Sequence, residues 1–266
     1  MSSTKIAVIG MGYVGIPAAA LLADVDNFEV TGIQRRSERS GWRIDYLNEG
    51  KNPIGGNEPG LSELIKRVVK GKQSFRVTDD YSVMKNMDYI LIDVQTPTDD
   101  THVPRYESLR EVSAQIGRYL RKGATVIIES TCAPGTTNYI VRPIIEEHSG
   151  LVAGRDFYLV FSYERVMVGR LLYNIINYPR IIGGITPKCT EKGMWLYKHI
   201  VKEELLPTDA LTAEVTKVVE NTYRDVNVAF ANEVALACES LGVNAYKVRE
   251  MVNSLPFNSN AYRDLH

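Results

Sequence analysis

The feature that most constrains this chain is a glycine-rich turn set directly behind a short apolar run. Lys5-Ile6-Ala7-Val8-Ile9 leads into Gly10-Met11-Gly12-Tyr13-Val14-Gly15, and a segment of helical period follows. In that setting each glycine has its own reason. The first permits a tight turn, the second lets backbone approach a pyrophosphate, and the third lets helix and strand pack closely. The amides and macrodipole of the helix then face the phosphates. A lone GxGxxG is weak evidence, but behind the first strand of a strand–helix–strand unit it is much stronger. Gly10, Gly12, Tyr13, Val14 and Gly15 are therefore candidate cofactor-binding residues.

The rest of the chain repeats the same alternation. Expected strands are Lys5–Gly10, Glu29–Ile33, Phe75–Thr78, Tyr89–Val94, Thr125–Glu129, Phe157–Ser162 and Arg180–Gly184. Expected helices lie near 13–25, 59–70, 106–121, 136–147 and 188–202. Strands alternating with helices imply crossover units: an α/β, Rossmann-type parallel sheet covered by helices on both faces. After Pro207 the texture changes. From Asp209 to Gly242 no Gly or Pro intervenes, and Leu211, Val215, Val218, Val219, Val226, Phe230 and Val234 recur at helical spacing. With Asp209 as N-cap and Gly242 as C-cap, a helix of about 33 residues would span about 50 Å. That length suits a connector or an oligomer core, and a short helix near 244–252 follows. Two domains are expected: 1–207, binding the dinucleotide, and 208–266, a central helical segment for dimerisation or linkage.

The residue ending the second strand usually reads the adenosine ribose, and NAD enzymes place Asp or Glu there. Here Gln34 stands at that point, followed by Arg35 and Arg36. The run removes repulsion toward a 2′-phosphate and supplies cations, which would allow NADP. Equally, the arginines could form a solvated loop, or grip the pyrophosphate or adenine of NAD. Both readings stay open here.

Composition excludes several other classes. Formal net charge is −1, with 44% hydrophobic and 24% charged residues, so no global field recruits nucleic acid or an anionic membrane. No apolar run of about 18 residues argues for a membrane span, and the N-terminus lacks the layout of a secretory signal. Three separated cysteines without a CxxC pair speak against a disulfide framework or a metal site, and fit a reducing cytoplasm.

Beyond the glycine turn, five segments in order resemble the UDP-glucose/GDP-mannose dehydrogenase family. They are Asn52-Pro53-Ile54 with Glu58-Pro59-Gly60-Leu61; Val94-Gln95-Thr96-Pro97-Thr98; and Glu129-Ser130-Thr131-Cys132-Ala133-Pro134-Gly135-Thr136. Next come Glu164-Arg165-Val166 with Gly169, and Ala213-Glu214, Lys217, Glu220-Asn221 and Asn232-Glu233. The resemblance covers essentially the whole chain. Val168 stands where UDP-glucose enzymes tend to carry a second Glu, and the Glu-Arg-Val form resembles enzymes acting on UDP-N-acetylmannosamine or UDP-N-acetylglucosamine. Tyr163 departs from the family's usual Pro before Glu.

The resemblance implies oxidation of the C6 alcohol to the uronic acid, with two NAD reduced. A thiolate adduct and a thioester carry the second oxidation. Lys217 and Asn221, four apart, share one helix face and suit an alkoxide or tetrahedral oxyanion. By resemblance, Lys217 also moves a proton and Glu164 is the general base for thioester hydrolysis. Thr96, Thr98 and Thr131 would touch the cofactor, Thr131 also a catalytic water. Arg165, Val166 and Arg224 would meet the UDP-sugar, and the central helix would pair two copies as a homodimer.

None of Cys132, Cys189 and Cys238 has the family's Gly-Gly-His-Cys context. There the nucleophile follows the segment beginning Asn253-Ser254-Leu255. The resemblance therefore implies that the thiol and a second α/β domain fall beyond His266, and that this chain alone binds NAD with little or no turnover. Two other readings remain at this point. One is a hydroxyacid or 6-phosphogluconate-type dehydrogenase, which also carries a Lys–Asn pair after a Rossmann domain. The other is a non-catalytic NAD-binding module.

Overall fold

A computed structural model describes residues 3–254. The apolar runs form β1 (Thr4–Ile9), β2 (Phe28–Ile33), β3 (Phe75–Thr78), β4 (Tyr89–Ile92), β5 (Thr125–Ile128), β6 (Tyr158–Phe161), β7 (Arg180–Gly184) and β8 (Leu205–Asp209). The helices are α1 (Gly15–Asp24), α2 (Trp42–Asn48), α3 (Leu61–Lys66), α4 (Glu107–Tyr119), α5 (Arg142–Ser149), α6 (Leu171–Asn177), α7 (Pro187–Tyr197), α8 (Ala210–Ser240) and α9 (Ala245–Val252). Among the described residues no helix is long and apolar enough to cross a membrane.

One sheet runs in the order β3-β2-β1-β4-β5-β6-β7-β8. Neighbours from β3 through β6 pair in parallel. Strand order reverses between β1 and β4, so the crevice for a ligand lies at their carboxyl ends. β1 shows why both faces are covered. Ile6 and Val8 enter one apolar cluster, with α1, α3 and α7, while Ala7 and Ile9 enter the other, with α4 and α5. The period of two along a strand sends alternate side chains to opposite layers.

The expected parallel sheet holds only through β6. β7 is antiparallel to β6, and β8 is parallel to β7. Arg180 opens β7 at the reversal and is buried. Its Nε donates to Ser162 Oγ at 2.9 Å, just past the end of β6, so the chain enters β7 from the carboxyl edge. β8 was not expected from the sequence. It is the edge strand, where Pro207 lacks an N–H for a further neighbour. α2 and α6, seven residues each, were also unforeseen.

The chain divides into two compact units, Met1–Val215 and Thr216–His266. α8 begins in the first. Asp209 caps it as expected, accepting from Thr212 N at 2.9 Å and Thr212 Oγ1 at 2.6 Å. One turn on, the carboxylate of Glu214 is fully buried and accepts from Gly135 N (2.6 Å), Thr137 N (2.7 Å) and Thr137 Oγ1 (2.6 Å). That carboxylate fixes the turn after β5. In the second unit α8 ends where Gly242 takes φ +65° and Val243 N donates to Cys238 O at 2.9 Å. This is the left-handed glycine termination expected at that position.

Candidate functional site

The glycine turn has the geometry that its three roles require. Gly10 takes φ +105°, and a Cβ there would stand 2.3 Å from the carbonyl oxygen of Asp93. A Cβ on Gly15 would stand 2.0 Å from the carbonyl oxygen of Gly10. Around a Cβ on Gly12, by contrast, nothing lies within 4 Å. The first and third glycines therefore pack backbone on backbone, and the second faces open space. That space is a cleft of ≈ 400 Å³ lined by Gly10, Met11, Gly12, Gln34, Arg35 and Arg43 among others. α1 starts at its rim, with Ile16 N donating to Gly12 O and Ala18 N to Val14 O, both at 3.1 Å. The residues present fit a dinucleotide pyrophosphate.

Two side chains lock the turn. Gln34 Oε1 accepts from Met11 N at 3.0 Å, and Arg43 Nη1 donates to Met11 O at 2.8 Å. The Gln34 amide nitrogen donates to Ser40 Oγ at 3.0 Å, so the residue at the ribose position braces the turn and the following loop. Sequence reasoning missed Arg43, whose partner is 32 residues away. Arg36 does not line the cleft. It turns onto Asp79 (3.1 Å) and Asp45 (3.5 Å), and these neighbours raise its already high pKa. Arg35 does line it, with Glu111 at 3.7 Å. Tyr13 is exposed at the turn, and Val14 precedes α1.

The threonine loops at the ends of β4 and β5 meet. Thr96 Oγ1 donates to Thr131 O at 2.6 Å. Thr98 lies further out, bridged to Pro104. Cys132, beside Thr131, is buried, and burial pushes its thiol up to about 12, with the Glu214 carboxylate adding to the effect. A thiol of that kind stays protonated and inert. Cys189 and Cys238 are also buried.

Glu164 and Arg165 lie on the loop after β6. Glu164 Oε2 accepts from Val166 N. Arg165 folds back, donating to Pro179 O at 2.7 Å and to the hydroxyl of Tyr163 at 3.3 Å, with its guanidinium 5.6 Å from that ring. Tyr163, the departure from the family pattern, is thus a buried plate beneath Arg165. Val166 packs against the core. The loop is pinned from outside by buried Glu58, which accepts from Gly169 N and from Leu171 N (3.1 Å) at the start of α6. The Glu58-Pro59-Gly60 segment has this structural task.

Lys217, Asn221 and Arg224 lie on α8 in the second unit. Arg224 Nη2 donates to Asn221 Oδ1 at 2.8 Å, which ties two of the expected substrate residues together. At i, i+4 and i+7 the three share one helix face.

Sequence reasoning singled out Glu164 but missed the buried group that it adjoins. Asp93, Glu129 and Glu164 follow three adjacent strands, a pattern visible in the sequence as a carboxylate behind each apolar run. Beneath them Arg180 binds Glu129 Oε1 and the carbonyl oxygen of Ser162 (2.7 Å). Tyr197 donates to the same Glu129 oxygen at 2.7 Å, and its ring lies 3.8 Å from the Arg180 guanidinium.

Comparison with known proteins gives the following. Residues 4–201 match the UDP-glucose/GDP-mannose dehydrogenase family, NAD binding domain, and residues 211–264 match that family's central domain. The UDP-N-acetyl-D-mannosamine dehydrogenase of Pyrococcus horikoshii is 39% identical over 253 residues, covering 95% of this chain and 58% of the relative. That of Campylobacter jejuni is 36% identical, covering 95% and 61%. Among solved structures, an NDP-N-acetyl-D-galactosaminuronic acid dehydrogenase from Methanosarcina mazei Go1 is 46% identical with a TM-score of 0.85, covering 96% of this chain and 54% of that one. The P. horikoshii UDP-D-ManNAc dehydrogenase superposes with a TM-score of 0.90 at 36% identity, covering 99% and 59%. The chain thus spans about three fifths of the length of the curated relatives it matches.

The three glycines separate by substitution. Gly12→Ala leaves stability within about 0.5 kcal/mol, because its Cβ enters open space. It weakens NADH binding about tenfold or more, because that space is where the pyrophosphate approaches. Gly15→Ala instead lowers stability by about 1–3 kcal/mol through overpacking. Urea unfolding and NADH fluorescence titration read the two effects. Equal NADH affinity in Gly12→Ala and the parent would remove the pyrophosphate from this turn.

Proposed function

The chain belongs to the UDP-glucose/GDP-mannose dehydrogenase family, and from that premise we propose that it serves the NAD-dependent oxidation of a UDP-N-acetylhexosamine, N-acetylmannosamine foremost, at C6 to the uronic acid. The observation that carries the proposal is the cradle at the β1–β4 switch point, closed at Gly10 and Gly15 and open at Gly12. The choice of sugar draws support from relatives named UDP-N-acetyl-D-mannosamine dehydrogenase and from the Glu164-Arg165-Val166 sequence.

NAD, when bound, supplies the hydride acceptor. The work of the chain's own residues is to hold and to neutralise. Gly10, Gly12 and Gly15 with the α1 amides take the pyrophosphate, Gln34 faces the ribose, and Thr96, Thr98 and Thr131 border the nicotinamide end. Lys217 removes the proton of the C6 alcohol, and its ammonium with the Asn221 amide stabilises the oxyanion. Glu164 draws a proton from the water that completes the acid. Arg165, Val166 and Arg224 orient the nucleotide sugar. In domain terms, residues 1–207 form the cofactor domain and 208–266 the helical segment.

Stoichiometry tests the reaction class. With this chain joined to the remainder of a relative's length, UDP-N-acetylmannosamine and excess NAD should yield two NADH per sugar. Lys217→Ala should slow the reaction by about 10²-fold or more with NADH affinity unchanged. One NADH per substrate, or a Lys217→Ala rate equal to the parent's, overturns the assignment.

Cofactor choice follows from charge. Arg36 is already paired with Asp79 and Asp45, and Glu111 stands at Arg35. A 2′-phosphate would displace or face these carboxylates, so NAD is favoured over NADP. In calorimetric titration NADH should bind at least about tenfold tighter than NADPH, a gap of about 1.4 kcal/mol; equal affinities refute the preference.

α8 further supports a homodimer. Val219, Tyr223, Val226 and Phe230 recur at i, i+4, i+7 and i+11, and all four are exposed. A stripe with that spacing fits the same stripe of a second copy. Sedimentation should show a dimer that Val226→Asp with Phe230→Asp converts to monomer. A dimer unchanged by the double variant places the interface elsewhere.

A further inference from the structure

Behind the cofactor cleft is a sealed charge cluster whose hydrogen-bond count fails unless a proton is added. The backbone of Asp93 lines the cleft, but both of its carboxyl oxygens are shut off from solvent and have no donor. Glu129 lies within hydrogen-bonding reach of it. Of the two Glu129 oxygens, Oε1 takes Arg180 and Tyr197, while Oε2 is buried without a donor. Two carboxylates thus face a single guanidinium. With both ionised, the pocket holds a net negative charge and three buried oxygens lack a partner. A buried charge without a counter-ion is among the costliest arrangements a fold can hold.

We propose that Asp93 holds a proton and donates it to Glu129 Oε2, and that this shared proton is a positioning device for the glycine turn. One added proton leaves only the second, uncharged Asp93 oxygen without a partner. Asp93 becomes a donor, Glu129 Oε2 gains a partner, and the single remaining carboxylate balances Arg180. Two carboxyls in contact cannot both ionise cheaply, so one proton serves both. Burial and the Glu129 charge both push the Asp93 carboxyl well above the usual carboxylate range, and Glu164 adds to the push while Arg180 opposes it. Tyr197, from α7, is itself raised by burial and stays a donor. On the β1 side, Gly10 and Gly15 bring no titratable side chain.

The device matters because of what rests on Asp93. Its carbonyl oxygen occupies the space where a Cβ of Gly10 would stand, and its own Cβ lies 3.3 Å from where that of Gly15 would. The shared proton ties the end of β4 to the end of β5 directly beneath the turn. Its loss places a second buried negative charge under the pyrophosphate site, which repels the dinucleotide and draws water in. The sign is fixed. A folded-state pKa raised above the unfolded value stabilises the fold fully below the unfolded value, and that contribution is lost as pH rises toward the folded one. Dinucleotide affinity is lost as pH rises through the folded pKa of Asp93. The binding consequence rests on the NAD reading above; the proton itself does not.

Infrared spectroscopy and NADH titration on the full chain test the two separately. At neutral pH the spectrum should contain a protonated-carboxyl band that is absent in Asp93→Asn, whose amide N–H₂ replaces the proton as donor. Asp93→Asn should bind NADH within about threefold of the parent at neutral pH, and should lack the parent's loss of affinity as pH rises. Glu129→Gln should also lose the band, because Asp93 then ionises to balance Arg180. A band that survives in either variant overturns the shared proton, and Glu129→Gln keeps that test open if Asp93→Asn does not fold. If the band behaves as stated but the two NADH profiles coincide, the positioning role is refuted; if neither protein binds NADH, it is the cofactor reading that fails.

Discussion

The carboxyl edge of this sheet depends on how closely two pieces of backbone can approach. With Gly10 and Gly15 the turn after β1 lies flat against the end of β4, at separations that no Cβ could occupy. Three consequences follow from that one contact. The amino end of α1 reaches the cleft, Gly12 is left facing space, and the side chain of Asp93 is tucked beneath the turn. The anion site and the buried acid are therefore the same steric solution seen from two sides. The favourable dipole at the helix terminus is kept, and a neutral carboxyl beneath it leaves that dipole to the anion, where an ionised one would compete for it.

Carboxylates elsewhere in the first unit act as pins. Glu58 holds the start of α6 and the loop bearing Glu164 and Arg165, more than a hundred residues away. Glu214 holds the turn at Gly135 and Thr137. Hydrogen bonds to a charged group contribute about 1.5–3 kcal/mol each, and deleting such an acceptor strands buried donors. Two loops that carry candidate chemistry are thus fixed by an acid from a distant segment. Two of the motifs that signal the family, Glu58-Pro59-Gly60-Leu61 and Ala213-Glu214, hold the loops in place rather than react.

The central strands were legible because a parallel strand covered on both faces is apolar throughout and leaves an unbroken run. The glycine turn was legible because its geometry tolerates only one residue type at Gly10 and Gly15. β8 was not, since Leu205-Leu206-Pro207 falls between the helix expected near 188–202 and Asp209, read as a cap, which it also is. α2 and α6 are too short to show a period. The roles of Arg35 and Arg36 were not legible, because their partners Asp79, Asp45 and Glu111 come from other elements, and only folding shows that Arg36 leaves the cleft. Asp93 was hidden for the opposite reason. It looks like the polar end of a strand, and only the missing donors around it reveal that it is buried.

Helical geometry also separates the two surfaces proposed for α8. Lys217, Asn221 and Arg224 form one stripe, and Val219, Tyr223, Val226 and Phe230 form another with the same spacing. The second is shifted by two residues, and at 3.6 residues per turn two residues are about 200°. The apolar stripe therefore lies on the side of the helix opposite to the polar one. A partner that covers Val226 and Phe230 leaves Lys217 and Asn221 untouched, and a sugar held at Lys217 leaves the apolar stripe open for pairing. A helix buried all round could not do both, because each surface would exclude the other. The length of α8 and its two-residue offset would let one element serve both proposed surfaces at once.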